Sequence, residues 1–180
     1  MVEQVRPVRY GIMIGLLGLL LGIGWAIWLV AGHERIHRYL AQSAPPPAAQ
    51  TEPAGDMHAH AMGEMQFEGA SGDPLMELAH TRLRRGHLHA MGLGLLTVAI
   101  SLVLMPTRAP DRIKSAVSIL TGLGGLIYPV SWIAMGYRTV ALGPAAAEAS
   151  AGAIALPGIL LVLGGIVATA FLLLRSGAKS

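Results

Sequence analysis

The chain has 180 residues, of which 53% are hydrophobic and only 13% charged, with 23 glycines and a formal net charge of +3. So apolar a balance excludes an ordinary soluble domain, and a charge this small, with no basic stripe or interleaved aromatics, excludes nucleic acid as a partner. With no cysteine, disulfides and thiolate metal sites are also excluded, so any metal must be held by His, Met, carboxylate or backbone oxygen.

The apolar residues are concentrated in four uncharged runs, at residues 10–31, 88–105, 116–136 and 154–174. Each has the length that a helix needs to cross about 30 Å of hydrocarbon. The fold expected is all-α, an integral membrane four-helix bundle forming a single membrane domain over residues 1–180, with one long extramembrane loop at 32–86.

The first run follows Arg6 and Arg9 but exceeds the roughly 7–15 apolar residues of a secretory signal core, and reads as a retained anchor. Within it Gly11, Gly15, Gly18 and Gly22 recur on one helical face, a smooth groove for another helix.

Directly after this run, His33-Glu34-Arg35-Ile36-His37 spells H-E-x-x-H. On a continuing helix the two histidines share a face and can ligate one metal. A zinc protease further needs a third ligand, an open position and a shielded cleft. The third and fourth runs contain no His, Asp or Glu, so the pattern is not read as a protease site and no catalytic residue is assigned.

The chain then passes Pro45-Pro46-Pro47 into a stretch of Ala, Gly, Glu and Gln with little to bury, expected to be a mobile linker. Inside it, His58 and His60 alternate with Met57, Met62 and Met65. Thioether and imidazole together suit copper, so this tract is a candidate copper-capture loop. Its alternative is a polar linker that happens to contain Met and His. Asp73-Pro74 has the form of a helix cap and first turn ahead of "LMELAHTRLRRGH".

All seven histidines lie between residues 33 and 89. Because the first two spans are antiparallel neighbours, this grouping is spatial as well as sequential. His80 and His89 join the metal candidates. His87 and His89 point about 200° apart on a helix, whereas His87 shares its face with Met91, His80 and Arg84. An imidazole at the mouth of a span can serve as an axial haem ligand, with arginines pairing the propionates.

The string Arg82-Leu83-Arg84, with His87, Ala90 and Gly94, resembles the entrance to the second transmembrane helix of haem-copper oxidase relatives, particularly cbb-type oxidases and nitric oxide reductases. Small bacterial four-helix membrane proteins with H-x-H at this helix entrance are also similar. The resemblance covers residues 82–94 and implies a low-spin haem b ligand at His87, with Arg84 nearby and the second ligand from His33, His37, Met91 or another subunit. The family's late helix with the partner haem ligand and its copper-site histidines are absent, so an oxidase is not implied. Interfacial histidines and arginines also have a simpler use, setting helix depth against the headgroups.

The third run carries Gly122, Gly125 and Pro129, read as close packing with a kink. Short basic loop 107–114 places the termini on the cytoplasmic side of a bacterial plasma membrane, although Lys and Arg are divided seven to six between the two faces. The functional expectation is an accessory membrane protein in contact with the bilayer, binding b-type haem at the exoplasmic interface for electron transfer with a respiratory or redox partner. Its alternatives are a copper-handling protein and a purely structural accessory subunit.

Overall fold

The computed structural model describes residues 5–45 and 73–177. Five helices account for almost all of them: α1 (Arg9–Ala31), α2 (His33–Ser43), α3 (Pro74–Leu104), α4 (Asp111–Leu142) and α5 (Pro144–Gly177). Among the described residues there is no strand. Four of the helices, α1, α3, α4 and α5, are long and apolar enough to cross a membrane, as the sequence leads one to expect. Large side chains such as Leu20, Ile27, Val30, Val167 and Leu174 point outward. That arrangement is unfavourable in water and natural against lipid tails. The protein is a multi-pass membrane helical bundle.

What holds the shaft together is small residues rather than large ones. Gly11, Gly15, Gly18 and Gly22 are the buried residues of α1. A Cβ at Gly94 of α3 would lie 2.7 Å from the Gly15 carbonyl, and one at Gly15 would lie 2.8 Å from the Gly94 carbonyl. The two backbones therefore touch, which is how helices gain dispersion contact where lipid competes equally for apolar side chains. Gly124 of α4 and Gly158 of α5 repeat the arrangement, 2.6 Å separating an added Cβ at Gly124 from the Gly158 carbonyl. In α4, Gly122 meets Ile14 and Thr97 while Gly125 meets Leu93, and the helix runs on through Pro129.

Buried hydroxyls are satisfied locally. Thr97 donates to the Leu93 carbonyl at 2.8 Å, Thr121 to Val117 at 2.7 Å, Thr139 to Met135 at 2.7 Å and Thr169 to Gly165 at 2.8 Å. With their protons committed to the preceding turn, these groups line no polar path through the bundle.

Helices α3, α4 and α5 contain 31, 32 and 34 residues, about 46–51 Å at 1.5 Å per residue, well beyond the hydrocarbon thickness. The excess of α3 is its N-terminal half, and this corrects the picture of 32–86 as one loop: residues 33–43 and 74–86 are helical. Asp73 caps α3 as expected, its carboxylate accepting the Leu75 N–H at 2.9 Å with Pro74 in the first turn. The expected linker, from residue 46 to residue 72, lies outside the described residues.

This projecting layer has its own small core of Ile36, Leu40, Met76, Ala79, Leu83 and Val140, flanked by Trp25, Leu29, Ile133 and Tyr137. Ile36 and Leu40 are one helical turn apart and bring α2 down onto α3 and α4. Trp25 adds an Nε1–H bond to the Leu83 carbonyl at 3.0 Å. A second cluster, Val8, Ile100 and Leu104 with Val117 and Leu172, closes the opposite end.

Candidate functional site

Helix α1 stops at Gly32, whose N–H returns to the Trp28 carbonyl at 2.8 Å, and α2 resumes at His33. The H-E-x-x-H string thus occupies the first turn and a half of a separate helix. His33 and His37, one turn apart, have ring centroids 6.3 Å apart. Facing them is His80 of α3, with its ring 5.3 Å from His33 and 6.0 Å from His37. Three imidazoles from two helices meet at the head of the bundle. Beside them, His33, Glu34, His37, Arg38 and Ala41 line a shallow hollow open to the outside.

His80 is the innermost of the three. Its Nε2 is sealed from solvent and has no hydrogen-bond partner among the described residues. Burial is the main force holding its pKa below the ordinary 6.5, with the neighbouring His33, His37 and Arg84 charges acting in the same direction. This residue lies on the projecting part of α3, two turns before the apolar span. As the side chains stand, no group of three or more His, Asp or Glu among the described residues is placed to hold a metal ion; the three rings are tilted or stacked rather than aimed at one point.

The other candidate residues are placed apart from this group. His87, two turns further along α3, has a buried Nδ1 without a hydrogen-bond partner. No ring contact among the described residues joins it to His33 or His37. Met91 packs where α1 crosses α3: a Cβ at Gly22 would lie 3.0 Å from the Met91 nitrogen and 3.2 Å from the His87 carbonyl. His89 points the other way, as helical geometry requires, and stacks on Trp132 at 5.3 Å and 12°. Its Nδ1–H donates to the Arg85 carbonyl at 2.7 Å, and Arg85 itself covers Trp132 at 5.4 Å. Arg84 is exposed and donates to Thr81 at 3.2 Å. The tract with Met57, His58, His60, Met62 and Met65 lies outside the described residues.

One residue that sequence reading left aside is the best-anchored polar group in this layer. Arg82 is 3% exposed. It donates to Thr139 Oγ1 at 2.9 Å and to the Pro144 carbonyl at 3.4 Å, and forms an ion pair with Glu148. It so joins α3 to the end of α4 and the start of α5. Between those two helices Gly143 takes φ +78°, a left-handed turn that a side chain would strain. Arg82 and Leu83 belong to the face marked by Ala79, Gly86, Ala90 and Gly94, all buried. That stripe of small residues is the signal that separates inward Arg82 from outward Arg84.

Aromatic side chains gather at the same end. Trp25 meets Tyr137 edge-on at 6.2 Å, Tyr39 meets Tyr137 at 5.7 Å, and Arg35 lies over Trp28 at 5.7 Å. Such a belt is the usual composition of a membrane–water boundary. The chain matches no protein-family model, no curated protein and no solved structure.

Proposed function

We propose that this protein is an accessory membrane protein that handles a late transition metal at its histidine-bearing end, with its termini on the cytoplasmic side of a bacterial plasma membrane. The carrying observation is the gathering of His33, His37 and His80, residues from two helices, at the head of the bundle. Imidazole is a good ligand for Zn, Cu and Ni. The Met- and His-bearing tract at 57–65 connects to the same layer in sequence and supplies further soft donors.

Haem b at His87 is the second reading, favoured by the orphaned Nδ1 of that ring beside Met91. It ranks lower because α1 and α3 touch backbone to backbone at Gly22, leaving no slot for a macrocycle between them on that face. A metal analysis and an absorption spectrum of detergent-purified full-length chain, expressed with adequate haem, test both. Bound copper or zinc without a Soret band is the expected result. A Soret band with reduced α and β peaks establishes haem instead, and a colourless, metal-free preparation that takes up neither added ion leaves a purely structural subunit.

A further inference from the structure

The metal-handling reading does not say where the ion sits. We infer that His33, His37 and His80 form a three-imidazole site for one divalent late transition ion, which staples α2 to α3. The inference rests on the reading above and narrows it to three residues and a ligand class.

The distances carry the argument. With metal–nitrogen bonds of about 2.0–2.1 Å in a tetrahedral site, ligating imidazole rings have centroids roughly 5 Å apart. His33 and His80 are already at 5.3 Å, His37 and His80 at 6.0 Å, and His33 and His37 at 6.3 Å. Ligation requires the rings to turn from their tilted and stacked arrangement and the wider pairs to approach by about an ångström. The rings of His33 and His37 have room for it, since His33 is exposed and His37 half-buried on the rim of an open hollow. His80 is the fixed member, between buried Ala79 and buried Arg82.

The second observation is chemical. A buried ring nitrogen with no partner is costly, and His80 Nε2 is such an atom. Among the described residues, the groups whose charge acts on it are two further imidazoles and Arg84, none of them anionic. A cation shared among three neutral rings would satisfy the nitrogen. Among ions, this donor set selects Zn²⁺, Ni²⁺ and Cu²⁺, with Cu²⁺ held most tightly, and rejects Mg²⁺ and Ca²⁺, which require oxygen ligands. Three protein ligands leave a fourth position, reached from the open hollow, to water or a small donor.

Binding also has a mechanical consequence. Helix α2 follows the break at Gly32 and is held by two buried side chains, Ile36 and Leu40. A metal bridging its first turns to His80 would add a third fastening close to the break.

The test titrates Zn²⁺ and Cu²⁺ into the full-length chain in detergent, alongside a variant deleted for residues 57–65 and the variants His33→Gln, His37→Gln and His80→Gln. The deletion removes the alternative donors and leaves α1 to α5 intact in sequence. In the wild type and the deletion, one equivalent of Cu²⁺ with a spin-resonance spectrum showing several imidazole nitrogens is expected, with Zn²⁺ competing for the same site. Each of the three substitutions should weaken binding by more than about 100-fold, beyond the effect of losing an outer-sphere partner. The wild-type and deletion spectra do not depend on whether a substituted chain folds. If binding disappears with 57–65, or survives all three substitutions undiminished, the three-imidazole site is wrong while metal handling stands. If the wild type binds neither ion, both fall.

Discussion

The shaft and the head of this bundle are built on opposite plans. In the shaft, glycine meets glycine, hydroxyls bond their own helix, and the large apolar groups face lipid. In the head, Ile36, Leu40, Met76 and Leu83 pack inward as in a water-soluble protein, with Arg82 bonded across three helices. The difference follows from the solvent. Apolar burial drives association only where water is the alternative, so the head can use it and the shaft must rely on close approach. The gathering of His33, His37 and His80 follows the same division, because imidazoles are accommodated in a hydrated layer at far lower cost than in hydrocarbon.

Four changes sharpen this contrast. The largest effect is expected in the shaft from Gly94→Leu, where even a Cβ meets the Gly15 carbonyl and the Leu19 nitrogen at 2.7–2.8 Å. The neighbours are backbone and cannot yield, so α1 should separate from α3 at a cost of about 3 kcal/mol or more, measured as a lowered detergent unfolding midpoint. A wild-type midpoint would show that the glycine contact is dispensable.

Leu40→Ala should act on the head alone. Leu40 is fully buried, and its loss should cost about 2–3 kcal/mol. Hydrogen exchange should quicken across α2 while the amides of α1 and α5 keep their protection. Uniform loosening would mean that head and shaft unfold together.

Glu148→Gln should be milder, roughly 1–2 kcal/mol, because the carboxylate is half exposed while the guanidinium it leaves behind is buried. Arg82 keeps Thr139 and Pro144 as acceptors, so the loss should be seen in exchange at the α4–α5 turn. An Arg82→Met, Glu148→Leu pair restoring the wild-type midpoint would show that the ion pair sets geometry rather than stability.

The smallest effect is that of pH on the metal-free head. His80 has a folded-state pKa below 6.5, so the unfolded chain takes up its proton first as pH falls. Stability is therefore full above 6.5 and declines through the folded-state value. Protection factors of the α2 amides, corrected for the intrinsic exchange rate at each pH, should be lower at pH 5 than at pH 7.5, and His80→Gln should flatten that dependence. A slope unchanged by the substitution would assign the titration elsewhere.

Much of the shaft could be read in the chain. Uncharged runs gave the spans, the repeat Gly11, Gly15, Gly18 and Gly22 gave the packed face of α1, and Asp73-Pro74 gave the start of α3. The head was less legible. Sequence periodicity pairs His33 with His37 and His80 with His87, but which pair faces which depends on the break at Gly32 and on where Ile36 and Leu40 seat α2. Those are tertiary contacts. The imidazole facing the H-E-x-x-H pair stands on the extension of α3 and not in the later spans, a placement that the spacing of the motif does not encode. Arg84 shares a helical face with His80 and His87, but that periodicity does not reveal that the face carrying Arg82 is the one covered by α4 and α5.

Arg82 has a consequence for the order of assembly. Its acceptors Thr139, Pro144 and Glu148 lie 57, 62 and 66 residues further along the chain, on segments synthesised after α3 has already emerged. Without the α4–α5 hairpin the guanidinium would have only water and headgroups as partners. The α4–α5 hairpin supplies all three partners, so the burial of this charge depends on residues far along the chain rather than on α3 itself.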